Sequence, residues 1–327
     1  MKKIISIGEV LIDLTQTGAD EKGNPIFAAY PGGAPANVAV AAARLGAKAG
    51  FAGKIGSDGF GDILRDTLEK EGVDTTFLYR TDEQPTTLAI VHVDEMGERS
   101  FSFYRNPGAD TQITEEEALA ILGGGAAPGV EKPAVLHFGS LSLTTEPSRS
   151  AVLKLVEQAK AEGVTISYDP NYRPALWDSL EAAVEMMKEP LAMVDILKIA
   201  DNELEMLTGE TDPEKGSKIL LDMGISLVMI TLGSEGVYYR FKGGCGKVAG
   251  EKVRVADTNG AGDTFLGAVL SKLTEKITDG IEEIEMEDEE LQQVLSYGNR
   301  AAALTCSRPG AIPAMPYLSE MEEDNER

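Results

Sequence analysis

The chain is poor in cysteine, histidine, tryptophan and positive charge. Its 327 residues include 2 cysteines, 2 histidines and 1 tryptophan. Cys245 and Cys306 form neither a zinc-ligand spacing nor a disulfide framework, so a reducing, cytoplasmic setting is expected. No run approaches the ~18 apolar residues of a membrane span. The opening MKKIISIGEV has two lysines, but Glu9 and then Asp13 interrupt it, so it reads as a first strand and not as a signal peptide. Thirty basic residues against fifty-four acidic ones give a formal net charge of −24. Such a surface repels phosphate backbones and anionic lipid, which argues against nucleic acid or a membrane as a partner. Any anionic ligand then needs local compensation from a metal ion, a helix end or a few basic side chains.

Apolar residues are plentiful, at 43%, enough for the core of a single α/β domain spanning residues 1–327. Short apolar runs at 4–7, 49–52, 135–138, 164–168, 196–199 and 227–231 read as strands. Helical patterns fall between or after them, at 35–45, 60–71, 148–161, 262–273 and 291–304. Gly46 and Gly72 stand where a helix C-terminus favours glycine. This alternation predicts a mostly parallel central sheet flanked by helices on both faces. Two pieces break the rhythm. One runs from 10–14 to 25–30; the other is a hairpin, 87–93 and 99–104, turning at Asp94-Glu95-Met96-Gly97. Together they read as a small β-sheet lid, segments of about 10–31 and 85–107, whose exposed face offers a homodimer contact. Residues 123–129 and 281–290 read as solvated connectors, and 319–327 as a frayed acidic tail. There is no internal repeat.

The strongest motif is Asp257-Thr258-Asn259-Gly260-Ala261-Gly262-Asp263-Thr264-Phe265, which opens a helix. Gly260, Ala261 and Gly262 have little side-chain bulk, so a ligand can approach the backbone. The first N–H groups of a helix lack internal partners and sit at the positive end of its dipole, which makes an anion site. Such donors suit the equatorial oxygens of a transferring γ-phosphoryl group. Asp263, in the same turn, is placed to orient a hydroxyl and take its proton. Taken alone, the motif fits equally a glycine-containing turn with Asp263 as a helix-start residue.

Further segments bear on that choice. Gly32-Gly33-Ala34-Pro35-Ala36-Asn37, with Gly46 and Gly56 beyond it, resembles the N-terminal signature of the PfkB, or ribokinase-like, carbohydrate kinases. Residues 257–270 resemble the C-terminal signature, and Asn202-Glu203-Leu204-Glu205 matches the N-x-x-E motif of that family. The resemblance runs in order along essentially the whole chain. Gly8-Glu9, Leu11-Ile12-Asp13, the run from Phe103 to Asp110, Ser167-Tyr168-Asp169-Pro170-Asn171-Tyr172-Arg173 and the run from Arg308 to Pro313 are most like the fructokinase branch. Kinases for 2-keto-3-deoxygluconate and aminoimidazole riboside share similar wording. The resemblance implies a ribokinase-like fold and ATP-dependent phosphorylation of a small sugar. D-Fructose, giving fructose 6-phosphate, is the first expectation; another sugar of the family is the alternative.

Roles carry over residue by residue. The resemblance implies that Asp263 is the catalytic base and that the 260–263 backbone is the anion hole. Asp13, Gly33 and Asn37 are expected at sugar hydroxyls, with Gly33 clearing room for the ring and Arg105 closing over the substrate. Asn171, Arg173, Thr231, Gly233, Gly236 and Asn299 are expected beside the nucleotide. Asn202 and Glu205 are expected to organise Mg²⁺ through water, with Glu203 on the solvated face. A K⁺ loop is expected from the Asp257 side chain and the carbonyls of Asn259, Thr305, Arg308 and Gly310; Ala314 stands where some relatives carry a hydroxyl ligand. Bland readings stand beside these: Asp13 as a strand-end turn residue, Arg105 as a surface arginine, Asn299 as an ordinary helix residue. His92 and His137 read as core or edge residues of strands, Trp177 as a packing residue, and Cys245 has no activating partner. A non-catalytic sugar or nucleotide sensor remains open, though the intact Asp263 and its glycine turn argue against it. A dinucleotide-binding enzyme lacks its glycine signature, since Gly8-Glu9-Val10 follows the first strand.

Overall fold

Apolar runs of about five residues, too short for helices and followed by helical periodicity, build a parallel sheet buried on both faces. The computed structural model describes residues 3–93, 99–123, 131–276 and 286–322. In chain order the elements are β1 (Lys3–Ile7), β2 (Leu11–Ala19), β3 (Pro25–Gly32), α1 (Ala34–Arg44), β4 (Lys48–Gly56), α2 (Gly59–Lys70) and β5 (Asp74–Thr81). There follow β6 (Leu88–Val93), β7 (Arg99–Tyr104), α3 (Glu115–Leu119), β8 (Val135–Gly139), α4 (Ser148–Ala161), β9 (Thr165–Asp169) and α5 (Leu180–Lys188). The last third holds β10 (Ile196–Ala200), α6 (Asp201–Thr208), α7 (Pro213–Asp222), β11 (Leu227–Thr231), β12 (Val237–Phe241), β13 (Gly244–Val248), α8 (Ala261–Thr274), α9 (Asp288–Cys306) and α10 (Leu318–Glu322).

The main sheet has nine strands in the order β13-β12-β11-β10-β9-β8-β1-β4-β5. All neighbours are parallel except at the β11–β12 and β12–β13 edge, which is antiparallel. Side chains alternate across it with the period of 2 that a strand imposes. Ile4 packs with Phe265 and Leu266 of α8, whereas Ile5 and Ile7 pack with Val152 and Leu155 of α4. On the first face α1 and α8 come close, because a Cβ on Gly267 would lie 2.6 Å from the Ala41 Cβ and 2.8 Å from the Val38 carbonyl. β1 lies between β4 and β8, so the direction in which strands are added reverses there. In open α/β sheets, ligands bind outside the strand carboxyl ends at such a reversal.

The smaller sheet has the order β3-β2-β6-β7, with Asp13 opposite Tyr30 and Ala89. Its β6–β7 pair is antiparallel, as the alternation predicts. The turn at 94–97, almost all of the 123–129 loop, 281–285 of the acidic stretch and 323–327 of the tail lie outside the described residues. The tail before that point is helical instead of frayed: α10 buries Met321 against Leu45, Ala268 and Ala301. His137 is a core residue, its Nδ1 3.1 Å from the Ser167 hydroxyl, and Trp177 packs against the larger core cluster. Among the described residues, no helix is long and apolar enough to cross a membrane.

Candidate active site

The carboxyl ends of β1 and β9, together with β2 and the first turns of α1 and α8, surround a small cavity of about 60 Å³. Glu9, Asp13, Gly33, Asn37, Asn171, Arg173, Asn259 and Asp263 supply its polar wall; Leu11, Phe103 and Leu141 supply apolar surface. Asp263 is buried and stands at the third position of α8. Its Oδ2 accepts from Asn37 Nδ2 at 2.8 Å, and its Oδ1 accepts from Asn171 Nδ2 at 3.1 Å. Burial raises its carboxyl above the ordinary carboxylate range and the Asp169 charge adds to this, while the Asn37 hydrogen bond, Lys198 and Arg173 pull the other way. Asp263 is therefore a stronger base than a helix N-terminus alone would make it.

A second cavity, of about 560 Å³, opens on the other side of the α8 N-terminus. Thr231, Gly233, Gly236, Thr258, Ala261, Gly262, Phe265, Asn299 and Cys306 line it, with Val253 and Val255 contributing exposed apolar surface. The Ala261 N–H turns back toward the Thr258 carbonyl at 3.3 Å. The next amides, of Gly262 and Asp263, have no helical carbonyl ahead of them. The same turn thus presents free N–H donors at the groove and a carboxylate at the small cavity.

Beneath this turn lies a buried ion pair. Lys198 Nζ on β10 donates to Asp169 Oδ2 on β9 at 2.9 Å, and both side chains are buried. Burial alone would lower the lysine, but the charges of Asp169, Glu203 and Asp263 outweigh it and raise its pKa. Nζ lies 2.9 Å from the place a Gly262 Cβ would take, so only glycine fits over it without displacement.

The structure brings most of the sequence-predicted residues together, with several reassignments. Gly33 has φ 109°, and a Cβ there would meet the Glu9 carbonyl at 2.5 Å. Glycine is required by the close approach of two backbones, and Gly33 also lines the small cavity. Arg105 is neither on the surface nor in the cavity wall. Its Nε binds Asp110 Oδ2 at 2.7 Å, its Nη1 binds Thr144 Oγ1 at 2.8 Å, and its Nη2 binds the Leu141 carbonyl at 2.9 Å. Asn171 and Arg173 line the small cavity, not the groove. Glu203 is buried, accepting from the Tyr172 and Ala200 amides at 2.7 Å each, so it is not the solvated member of its motif. Asn202 and Glu205 are the exposed ones. The Thr231 hydroxyl donates to the Ile199 carbonyl at 3.3 Å, and Asn299 Nδ2 donates to the Val248 and Ala249 carbonyls at 3.1 Å.

The segments of the expected monovalent-cation loop adjoin. Asp257 Oδ1 accepts from the Asn259 amide at 2.9 Å and Oδ2 from the Gly310 amide at 3.0 Å. The Thr305 hydroxyl meets Thr264 Oγ1 at 3.1 Å, and Arg308 pairs with Glu320. One carboxylate among backbone oxygens is a donor set suited to a large monovalent ion.

Glu9, Asp169 and Lys198 have no role in the sequence reading. Glu9 is buried against the α1 N-terminus, Oε1 accepting from the Ala34 amide at 3.2 Å, and burial pushes its carboxyl up to about 7. A visible signal existed for Lys198: a charge inside Ile196-Leu197-Lys198-Ile199, a run that otherwise reads as a strand buried on both faces.

A model of the pfkB family carbohydrate kinases matches residues 1–318. Fructokinase-2 of Solanum lycopersicum is 41% identical over 321 residues, covering 97% of this chain and 94% of that protein. A fructokinase from Xylella fastidiosa, solved with bound ATP, superposes with a TM-score of 0.88 at 31% identity, covering 99% of both chains. A double-mutant fructokinase from Vibrio cholerae O395, solved with fructose, ADP and potassium ion, gives 0.84 at 31% identity, covering 99% of this chain and 98% of that one.

Proposed function

The chain belongs to the pfkB family of carbohydrate kinases, and from that premise we propose that it transfers the γ-phosphoryl group of ATP to D-fructose, giving fructose 6-phosphate. The observation that carries this reading is the α8 N-terminus standing between two cavities, with Asp263 facing the smaller and Ala261 and Gly262 facing the larger. ATP lies in the groove, adenine toward Asn299 and Phe265 and phosphates toward Thr231, Gly233 and the α8 N-terminus. Fructose occupies the small cavity, between Asp13, Asn37 and Asp263. The Asn37 Oδ1 is buried without a partner among the described residues, which suits it to accept from a sugar hydroxyl.

Asp263 orients the acceptor hydroxyl toward the γ-phosphorus and takes its proton as the new P–O bond forms and the bond to the β,γ-bridging oxygen breaks, with ADP leaving. The Gly262 and Asp263 amides stabilise charge on the transferred group. The raised pKa of Asp263 suits it to the proton transfer, and the hydrogen bonds from Asn37 and Asn171 aim its oxygens.

Mg²⁺ bound with ATP would neutralise charge on its phosphates. Asn202 and Glu205 are three residues apart on α6, so they share a face and would hold the ion through its waters. The Asp257 side chain and the carbonyls of Asn259, Thr305, Arg308 and Gly310 would hold K⁺, which would keep the anion hole in shape. The smaller sheet acts as a lid that closes on bound sugar, within a single domain spanning residues 1–327. Its exposed Phe27 and Tyr104, which the strand pairing places on one face, are the surface for a homodimer. The cytoplasm is the compartment that fits a chain with two free cysteines.

The test is ADP release from purified enzyme across a panel of ketoses, aldoses, 2-keto-3-deoxygluconate and ribosides, with the phosphorylated carbon assigned by NMR. Fructose should have the highest kcat/KM, with phosphate on C6. A higher value for another sugar would replace the substrate; ADP release with none of them would support the sensor reading.

A further inference from the structure

We propose that the buried Lys198–Asp169 pair is a positioning device for Asp263, acting through Asn171. This rests on the reading of Asp263 as the base. The links are all short. Lys198 Nζ holds Asp169 Oδ2 at 2.9 Å, and the other oxygen of the same carboxylate accepts from the Asn171 amide at 3.1 Å. Asn171 Nδ2 then donates to Asp263 Oδ1 at 3.1 Å.

Asn171 is the one described non-glycine residue with positive φ, at 48°. L-residues seldom adopt that conformation, and asparagine tolerates it best when a carboxylate two residues earlier caps its N–H. Asp169 is that cap. It can turn one oxygen to Asn171 because Lys198 fixes the other. Without Lys198 the Asp169 side chain is free to rotate, the turn loses its anchor, and the Asn171 amide no longer aims one oxygen of Asp263.

The pair also sets the local charge. Asp263 is faced by Asp169 from β9, Lys198 from β10, Arg173 from the loop after β9 and the neutral Asn37 from α1; Glu203 on α6 faces Lys198. Three carboxylates thus crowd one buried ammonium. That ammonium lies directly under Gly262, the residue whose amide serves the anion hole. A cation there offsets the repulsion that the buried acids would otherwise exert on an incoming phosphoryl group. Packing alone calls for no lysine here, since Ile196, its neighbour on the same face of β10, is fully buried and apolar.

The experiment compares wild type, Lys198→Met and Lys198→Met/Asp169→Asn. It measures kcat, KM for fructose and for ATP, the pH dependence of kcat/KM for fructose, and folding by circular dichroism. In Lys198→Met, kcat should fall at least 10-fold with KM for ATP within about twofold. The acid limb should move up by a pH unit or more, because Asp263 loses a cation that favours its ionised form. The double variant has no unpaired buried charge. Its acid limb should return to within about half a unit of wild type, while kcat stays at least 10-fold down, because residue 169 remains unanchored. An unmoved limb in the folded single variant, or wild-type kcat in the double variant, overturns the proposal. If the single variant does not fold, the double variant's kcat decides alone. Wild-type activity in Asp263→Asn would instead overturn the reading of the base; an inactive Asp263→Asn beside wild-type kinetics in the pair variants would overturn only this inference.

Discussion

Replacing Arg105 with alanine removes a guanidinium that is 6% exposed and leaves Asp110, 3% exposed, behind it. Three hydrogen bonds go: to Asp110, to the Thr144 hydroxyl and to the Leu141 carbonyl. Asp110 keeps the Thr87 hydroxyl, but loses its counter-charge. Removing one partner of a buried pair costs about 3–5 kcal/mol, because the other charge stays buried. At this chain length 1 kcal/mol corresponds to about 2 °C, so Tm should fall by roughly 6–10 °C. The double variant Arg105→Ala/Asp110→Asn should be more stable than Arg105→Ala, since the stranded charge is gone. Thermal unfolding with and without saturating fructose, run beside calorimetric sugar titration, separates the two possible roles of Arg105. A clasp that ties the end of β7 to the start of the 109–112 turn lowers Tm in both conditions. A ligand that closes over the substrate weakens fructose binding with little change in the Tm of the free enzyme. A Tm within about 2 °C of wild type, together with a large loss of sugar affinity, would refute the clasp.

Asp263→Asn should fold and bind both substrates while kcat falls about 10²–10⁴-fold, the range for a lost general base; retention of kcat excludes Asp263 from proton transfer. The rate in K⁺ should exceed that in Na⁺ or tetramethylammonium at equal ionic strength, and equal rates in all three would count against a cation at the Asp257 loop. Burial pushes His137 down to about 4, so the folded chain holds it neutral while the unfolded chain takes up a proton near 6.5. Its contribution is therefore full above pH 6.5 and is lost as pH falls toward 4, by about 3 kcal/mol. The difference in unfolding free energy between wild type and His137→Asn should follow that curve; a flat difference over the same window would contradict it.

Spacing carried much of the site. The helix opened by Gly260-Ala261-Gly262-Asp263 begins where a bulk-free turn and an unpaired set of amides demand it. Asn37 and Asp263 were both assigned to the sugar, and the structure joins them directly at 2.8 Å. For Arg105 the sequence gives a place just after a strand but not the neighbour that holds its side chain; Asp110 is only five residues on, across the turn that Asn106-Pro107-Gly108 marks. Glu203 and Glu205 differ by two positions on a helix, which is enough to exchange a buried face for an exposed one. β5 was missed because it is an edge strand with Phe77 as its one fully buried side chain, so no apolar run announces it. β12 and β13 were missed because they form an antiparallel edge appended to a parallel pattern.

The contact between α1 and α8 has a consequence for biosynthesis. Asn37 and Asp263 are separated by 226 residues. At about 5–20 residues per second, a ribosome needs on the order of 11–45 s between them. Throughout that interval α1 exists without the helix it packs on. The face awaiting α8 includes Val38, Ala41 and Ala42, small side chains that offer a passing chaperone or another nascent chain little apolar area to grip. Glycine at 267 lets the later helix dock against that shallow face at backbone distance. A bulkier seam would pack as well in the finished protein, but would stay adhesive during every second of the wait.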